Sequence, residues 1–226
     1  MENTKDSLIE VIKTEDGSRS LLRKDIQESY HSHFGALTET NTIYIDYGYN
    51  YFCCLDNKEQ INILEIGFGT GLNAIATLKN SNQRKIFYQT IELYPISSLI
   101  AEKLAYGEEL SLKEEFNLIH KCNWEEVVSI NSDFKIKKCE ADACSYDLPK
   151  DFFDVVYFDA FSPEKDSDLW SEDMMLKIYN ACRQGAVLTT YCCKGEIKRR
   201  MKKAGFSIAK LPGPKGKREI LRAEKK

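Results

Sequence analysis

Glu65-Ile66-Gly67-Phe68-Gly69-Thr70-Gly71-Leu72-Asn73 is the stretch on which the reading of this chain turns. The six residues Ile61-Asn62-Ile63-Leu64-Glu65-Ile66 form a short apolar run that stops at glycines, the pattern of a buried strand. Leu72 to Lys79 has the composition of a helix. The turn between them is rich in glycine, which reaches positive φ without strain and lets a ligand approach the backbone closely. Its spacing is G-x-G-x-G. Neither the G-x-G-x-x-G of dinucleotide folds nor the Gly-Lys-Ser/Thr of a P-loop is present.

Working outward, the same rhythm repeats. Lys85 to Glu92 is β-rich, and Glu92 stands 21 residues after Gly71, where a strand-end acid can accept both hydroxyls of a ribose. Pro95 fits the first turn of a helix over Ile96 to Ala105. Phe134 to Ala141 is a more polar strand ending at Asp142, and Asp154 to Asp159 is a fully buried one. Four consecutive strands therefore each present an acid near the carboxyl edge, where open α/β sheets bind ligands. Ser171 to Cys182 is a helix ended by Gly185, Ala186 to Tyr191 a strand, and Glu196 to Ala204 a basic helix stopped by Gly205. Phe206 to Leu211 and Arg218 to Ala223 flank the turn Pro212-Gly213-Pro214-Lys215-Gly216 and predict a hairpin.

Strands alternating with helices predict an α/β fold, a mostly parallel sheet with helices on both faces, here with an antiparallel C-terminal hairpin at one edge. Residues 1–55 break the rhythm. Leu8 to Lys13 and Ser18 to Arg23 suggest a hairpin around Asp16-Gly17, and Thr42 to Cys54 is aromatic-rich and ambiguous. This part reads as an N-terminal elaboration packed on a main domain of residues 56–226.

Composition narrows the function classes. No apolar run approaches the roughly 18 residues of a membrane span, and Met1 to Asp6 lacks the basic start and apolar core of a signal peptide, so the expectation is a soluble cytoplasmic protein. The eight cysteines include no C-x-x-C, and His31, His33 and His120 stand at no zinc-like spacing from any of them. They read as reduced, buried, small apolar residues, and no metal is expected. Net charge is −3, but Lys194 to Lys226 carries +10 and residues 1–193 carry −13. Such a tail is either a solvated helix face with a frayed end or a surface that meets a polyanion, nucleic acid first.

The glycine turn with its series of acids resembles the class I S-adenosylmethionine-dependent methyltransferases, whose Rossmann-like fold the strand rhythm matches. The resemblance implies S-adenosyl-L-methionine as cofactor, held at Glu65, Gly67, Gly69, Gly71 and Asn73, with Glu92 on the ribose and Asp142 near the adenine. A narrower resemblance joins that turn to Asp159-Ala160-Phe161-Ser162-Pro163, to Asp168-Leu169-Trp170, and to Gly216-Lys217-Arg218-Glu219-Ile220-Leu221-Arg222-Ala223. With Tyr30-His31-Ser32, Gly35-Ala36 and Glu39-Thr40 upstream, these resemble the methyltransferase half of the MnmC family of tRNA-modifying enzymes. That resemblance implies N-methylation of the 5-aminomethyl group of wobble (2-thio)uridine, with the anticodon stem-loop of tRNA as partner. The FAD-dependent oxidase half of bifunctional members has no counterpart expected in this chain.

The resemblance also distributes roles. Asp159 and Phe161 face the methyl acceptor. A carboxylate at Asp159 can orient the amine or take its proton, and it also stabilises the ammonium form; sequence leaves these open. Phe161 and Trp170 are candidates to stack on an unpaired uracil, with core packing as the alternative for each. Ser32 and Glu39 are cofactor-side candidates, and His31 reads as structural. Lys202, Lys203, Lys217 and Arg218 are candidates for RNA phosphates, outside the cofactor site. Two rivals stand beside this reading: transfer of a methyl or aminopropyl group to a small-molecule amine, and a non-catalytic RNA-binding module on the same fold.

Overall fold

The computed structural model describes residues 6–226. Met1 to Lys5, read above for a leader, lie outside the described residues. The chain opens with three short antiparallel strands, β1 (Ile9–Lys13), β2 (Arg19–Arg23) and β3 (Glu28–Ser29). The hairpin around Asp16-Gly17 is present, and the Asp16 carboxylate ties it inward, accepting from Thr14 Oγ1 at 2.8 Å and Thr38 N at 3.0 Å. The segment read as ambiguous is helical. Backbone dihedrals stay helical from α1 (Ala36–Thr40) through a π-wound stretch, Asn41–Asn50, into α2 (Tyr51–Leu55). Its Thr, Ile and Tyr residues favour strands and its Asn, Asp and Gly favour turns, so packing overrides propensity here. Ile43, Tyr44, Ile45 and Tyr49 are at most 1% exposed, and they lie against the sheet and the next helix.

The main sheet follows. In chain order its parts are β4 (Gln60–Ile66), α3 (Leu72–Lys79), β5 (Lys85–Glu92), α4 (Ser98–Glu102), α5 (Tyr106–Leu110), α6 (Lys113–Lys121), β6 (Val127–Ser129) and β7 (Phe134–Glu140). Then come β8 (Phe153–Phe158), α7 (Glu172–Ala181), β9 (Cys182–Thr190), α8 (Gly195–Ala204), β10 (Ser207–Pro212) and β11 (Glu219–Glu224). The eight strands lie in the order β10-β11-β9-β8-β4-β5-β7-β6. The central five, β9-β8-β4-β5-β7, run parallel. Side chains alternate between two cores, Ile63, Val155 and Tyr157 toward one face and Leu64, Val156 and Phe158 toward the other.

Several expectations need correction. Both sheet edges are antiparallel, because β6 pairs with β7 just as the C-terminal hairpin pairs with β9. The helix after Pro95 is shorter than the span to Ala105: Ser97 caps it, its hydroxyl accepting from Ile100 N, and Ala105 is already left-handed at φ 59°. Gly185 ends no helix. Helix α7 stops at Ala181, β9 begins at once, and Gly185 sits inside that strand at φ 81°, beside the irregular β8–β9 register between Phe153 and Val155. All eight thiols are unpaired, yet only Cys139, Cys182 and Cys192 are buried; Cys54 and Cys193 are exposed. No helix among the described residues is long and apolar enough to cross a membrane.

The topology fixes where a ligand can go. From β4 the chain builds outward through β5 and β7, then returns to place β8 and β9 on the other side of β4. The order thus reverses between β4 and β8, and at such a switch point the crevice beyond the carboxyl ends is open. Ile66 pairs with Phe158 there, so Gly67 and Asp159 are the next residues on either side of the crevice.

Candidate active site

A cavity of about 620 Å³ lies at this switch point. Its floor is the glycine turn. Gly67 is at φ 90°, and a Cβ there would come within 2.6 Å of the Asp159 carbonyl oxygen. Gly69, at φ 51°, would run into the Tyr30 ring at 3.0 Å. Both glycines line the cavity, so the backbone itself faces a ligand. Gly71 does not line it; at φ 72° it caps α3 and leaves room for His120 below.

Glu92, at the end of β5, is held by this turn. Its Oε2 accepts from Gly69 N at 2.9 Å and its Oε1 from Tyr94 N at 2.8 Å, and each oxygen keeps a lone pair for a further donor. Burial still pushes its pKa up, against those backbone donors. Asp142 follows β7 and lines the far end, with Oδ1 accepting from Cys144 N at 2.8 Å. Glycine backbone on one side and two strand-end carboxylates on the other suit a ligand with a ribose and a flat base.

Opposite them stands Asp159. Tyr44 donates its hydroxyl to Oδ1 at 2.5 Å, and Asn73 Nδ2 donates to Oδ2 at 2.8 Å. Burial pushes its pKa up to about 7, the two donors acting the other way. Around it gather groups from distant parts of the chain. Tyr191 donates to Ala160 O at 2.9 Å, Lys217 Nζ lies 3.2 Å from Glu39 Oε1 and 4.6 Å from the centre of the Tyr191 ring, and Ser32 N donates to Glu39 Oε2 at 2.5 Å. The loop after Asp159 is clamped by Glu28, which accepts from both Ser162 N and Ser162 Oγ at 2.9 Å. Phe161 lines the cavity with its ring edge-on to Tyr30 at 5.1 Å.

The structure brings together most of the residues expected from sequence and places several, Gly71 among them, elsewhere than expected. Glu65 is fully buried beneath the turn and does not line the cavity; its Oε1 accepts from Asn73 Nδ2 at 3.0 Å. Asn73, 3% exposed, spends both of its N–H bonds on the two carboxyl groups; it does not line the main cavity but borders a small pocket beside Gly67, Gly69 and Asp159. Trp170 is 0% exposed, packed on Phe158 and Tyr191, and its Nε1 donates to Phe161 O at 2.7 Å, so it supports the loop after Asp159 and has no face free to stack on a base. Lys217 lines the cavity, contrary to its expected place among residues remote from the cofactor.

Glu39 and Ser32 line the cavity on the Asp159 side, through the Lys217 pair. His31 is buried between Ser20 and Thr70, and burial pushes its pKa down to about 4, so it is neutral at pH 7. Lys202, Lys203 and Arg218 are exposed and line no part of the cavity. Lys203 pairs with Glu172 at 2.5 Å. Sequence reasoning missed Tyr44, Glu28 and Tyr191; none stands in a motif of its own. Among the described residues no group of three or more His, Cys, Asp or Glu is placed to hold a metal ion.

A family described as S-adenosyl-L-methionine-dependent methyltransferase matches residues 108–226. The chain is 28% identical over 182 residues to the tRNA 5-methylaminomethyl-2-thiouridine biosynthesis bifunctional protein MnmC of Campylobacter hominis, covering 75% of this chain and 26% of that one. It spans a quarter to a third of the length of the curated relatives it matches. Among solved structures, MnmC2 from Aquifex aeolicus superposes with a TM-score of 0.80 at 23% identity over 96% of this chain and 70% of that one. Spermidine synthase from Thermotoga maritima gives 0.61 at 15% identity, over 96% and 68%. These two likenesses speak to the fold. The family match covers more than half of the sequence: the chain belongs to the S-adenosyl-L-methionine-dependent methyltransferases.

Proposed function

We propose that this chain methylates an amine on tRNA, the 5-aminomethyl group of the wobble (2-thio)uridine, with residues 1–55 as an elaboration supplying one wall of the site. The reading rests on the likeness to proteins named for 5-methylaminomethyl-2-thiouridine biosynthesis. The observation that carries it is Asp159, a carboxylate at the cavity whose two oxygens are each fixed by one donor.

S-Adenosyl-L-methionine, when bound, supplies an electrophilic methyl group, so the protein's task is alignment. Gly67, Gly69, Glu92 and Asp142 would hold the cofactor. The acceptor nitrogen must be uncharged to attack, and Asp159 keeps a free lone pair on each oxygen to accept its N–H and orient it. The group is poised near neutrality, so it can also take the proton that the methylated amine sheds. Phe161, held by Tyr30 and by the Glu28 clamp on Ser162, offers a ring face to the pyrimidine.

A second reading has one observation in its favour. Seven of the residues lining the cavity are acidic and three basic, a surplus that suits a small cationic amine. Methyl-labelled S-adenosylmethionine offered with undermethylated tRNA and, separately, with polyamines decides between them. A labelled 5-methylaminomethyl-2-thiouridine in the digested tRNA is the expected result. Label in the polyamine alone would overturn the tRNA reading.

A further inference from the structure

The carboxamide of Asn73 joins two carboxyl groups that the motif pattern treats as separate. One N–H goes to Glu65 Oε1 at 3.0 Å and the other to Asp159 Oδ2 at 2.8 Å, while the amide oxygen accepts from Thr40 Oγ1 at 3.0 Å. Every polar atom of this side chain is thereby used, and it cannot rotate without breaking three bonds. Two donor arms of this length on one planar nitrogen hold the carboxyl oxygens roughly 5 Å apart. At that distance, away from water, two negative charges repel strongly, and one group keeps its proton.

The surroundings say which. Glu65 is 0% exposed and meets no cation among the described residues. The polar groups beside its second oxygen are the neutral Tyr88 hydroxyl and Thr90 Oγ1, neither in a well-formed hydrogen bond with it. Those hydroxyls can serve either form of the carboxyl, but no cation balances a carboxylate there, whereas a carboxylic acid adds no charge and still accepts from Asn73. Asp159 has two donors and, across the cavity, the Lys217 ammonium. The other groups facing Asp159 are the Glu39 carboxylate on α1 and the Tyr191 hydroxyl after β9, with Tyr88 on β5 behind Glu65.

We propose that Asn73 and Glu65 are positioning residues for Asp159: an uncharged Glu65 locks the Asn73 amide, and Asn73 with Tyr44 fixes the Asp159 carboxylate toward the acceptor. The inference rests on the reading of Asp159 given above. Burial, which holds the Glu65 carboxyl well above the usual carboxylate range, agrees with the assignment.

The test is a carboxyl-carbon NMR titration of the ligand-free protein, with Asp159→Asn assigning the Asp159 signal. Wild-type Asp159 is expected to titrate near pH 7. Asn73→Ala removes one donor and should raise that midpoint by about one unit. Asn73→Ser serves if the alanine variant does not fold. Glu65→Gln swaps one uncharged group for another and should move the midpoint by less than about half a unit. In the tRNA assay Asn73→Ala should lower kcat about tenfold or more, with S-adenosylmethionine affinity by calorimetry nearly unchanged. A fall of more than about one unit in Glu65→Gln would mean that Glu65 is charged, and would overturn the proposal. An unmoved Asp159 midpoint and wild-type kcat in both Asn73 variants would do the same. If wild type leaves tRNA unmethylated, the functional reading fails while the titration still reports on the pair.

Discussion

The two sides of the cavity are made in different ways. The side formed by Gly67, Gly69, Glu92 and Asp142 is local: each residue sits at the carboxyl end of one of three neighbouring parallel strands, and strand-turn-helix geometry delivers it. The side around Asp159 is assembled from afar. Tyr44 reaches it across 115 residues of chain, Glu28 clamps Ser162 across 134, and Lys217 arrives from the C-terminal hairpin to meet Glu39. A ligand site inherited with a fold can be local, since every strand end is already in place. A site for one particular acceptor must recruit elements that the fold does not supply.

The largest expected effect concerns Trp170, which belongs to the assembled side as a support. Trp170→Ala should cost about 3–5 kcal/mol of stability in urea denaturation, the range for emptying a buried aromatic site. Phe161→Ala, at the cavity wall, should cost much less stability and more turnover. A stable Trp170→Ala protein with weakened tRNA binding would return Trp170 to base stacking and blur the division between support and surface.

On the local side, Glu92→Ala should weaken S-adenosylmethionine binding by about 1–3 kcal/mol through lost charge-assisted hydrogen bonds. The loss also releases Gly69 N and Tyr94 N, so the glycine turn loosens with it. Calorimetry with unchanged affinity in a folded variant would remove Glu92 from the site.

The contrast extends to what could be read beforehand. Strands β4, β5, β7 and β8 and helix α3 follow from apolar runs and glycine stops, and their ends carry the acids where expected. The helices α5 and α6 lie outside the predicted elements, although Phe116 and Ile119 point inward behind an acidic first turn in the latter. Tyr44 and Glu28 carry no sequence signal, because their partners are fixed only by how the N-terminal elements pack on the sheet. Trp170 next to Asp168-Leu169 is ambiguous in sequence for the same reason: an aromatic beside a motif faces either way until the loop closes. Glu65 and Asn73 stand within the legible glycine motif, but which side of the turn they serve depends on burial.

The smallest effect is expected on the basic tail. Several of its charges are engaged: Lys194 with Glu164, Lys203 with Glu172, Lys210 with Glu219 and Lys215 with Glu15. Helix α8 leads away from the carboxyl edge into β10, which runs parallel to β9, and Lys202 and Lys203 lie in its last turn. Replacing Lys202 or Arg218 by Ala should lower the slope of tRNA affinity against salt by at most about one unit each. Lys203→Ala should do less, since its charge is already paired. Lys217→Ala should stand apart, changing turnover as well as affinity, because it leaves the 6%-exposed Glu39 without its cation. Equal behaviour of all four variants would merge the cavity wall with the outer surface.

The central claim is that Asp159 orients the acceptor amine. It is tested most directly by the pH dependence of kcat on tRNA for wild type and Asp159→Asn, with S-adenosylmethionine affinity measured in parallel. The ionised form of Asp159 grows as pH rises through its raised midpoint, so wild-type kcat should climb across a limb near pH 7. Asp159→Asn should lose about 100-fold or more in kcat and lose that limb, while binding the cofactor nearly as tightly as wild type. Wild-type turnover in Asp159→Asn, with the same limb in its pH profile, would contradict the account.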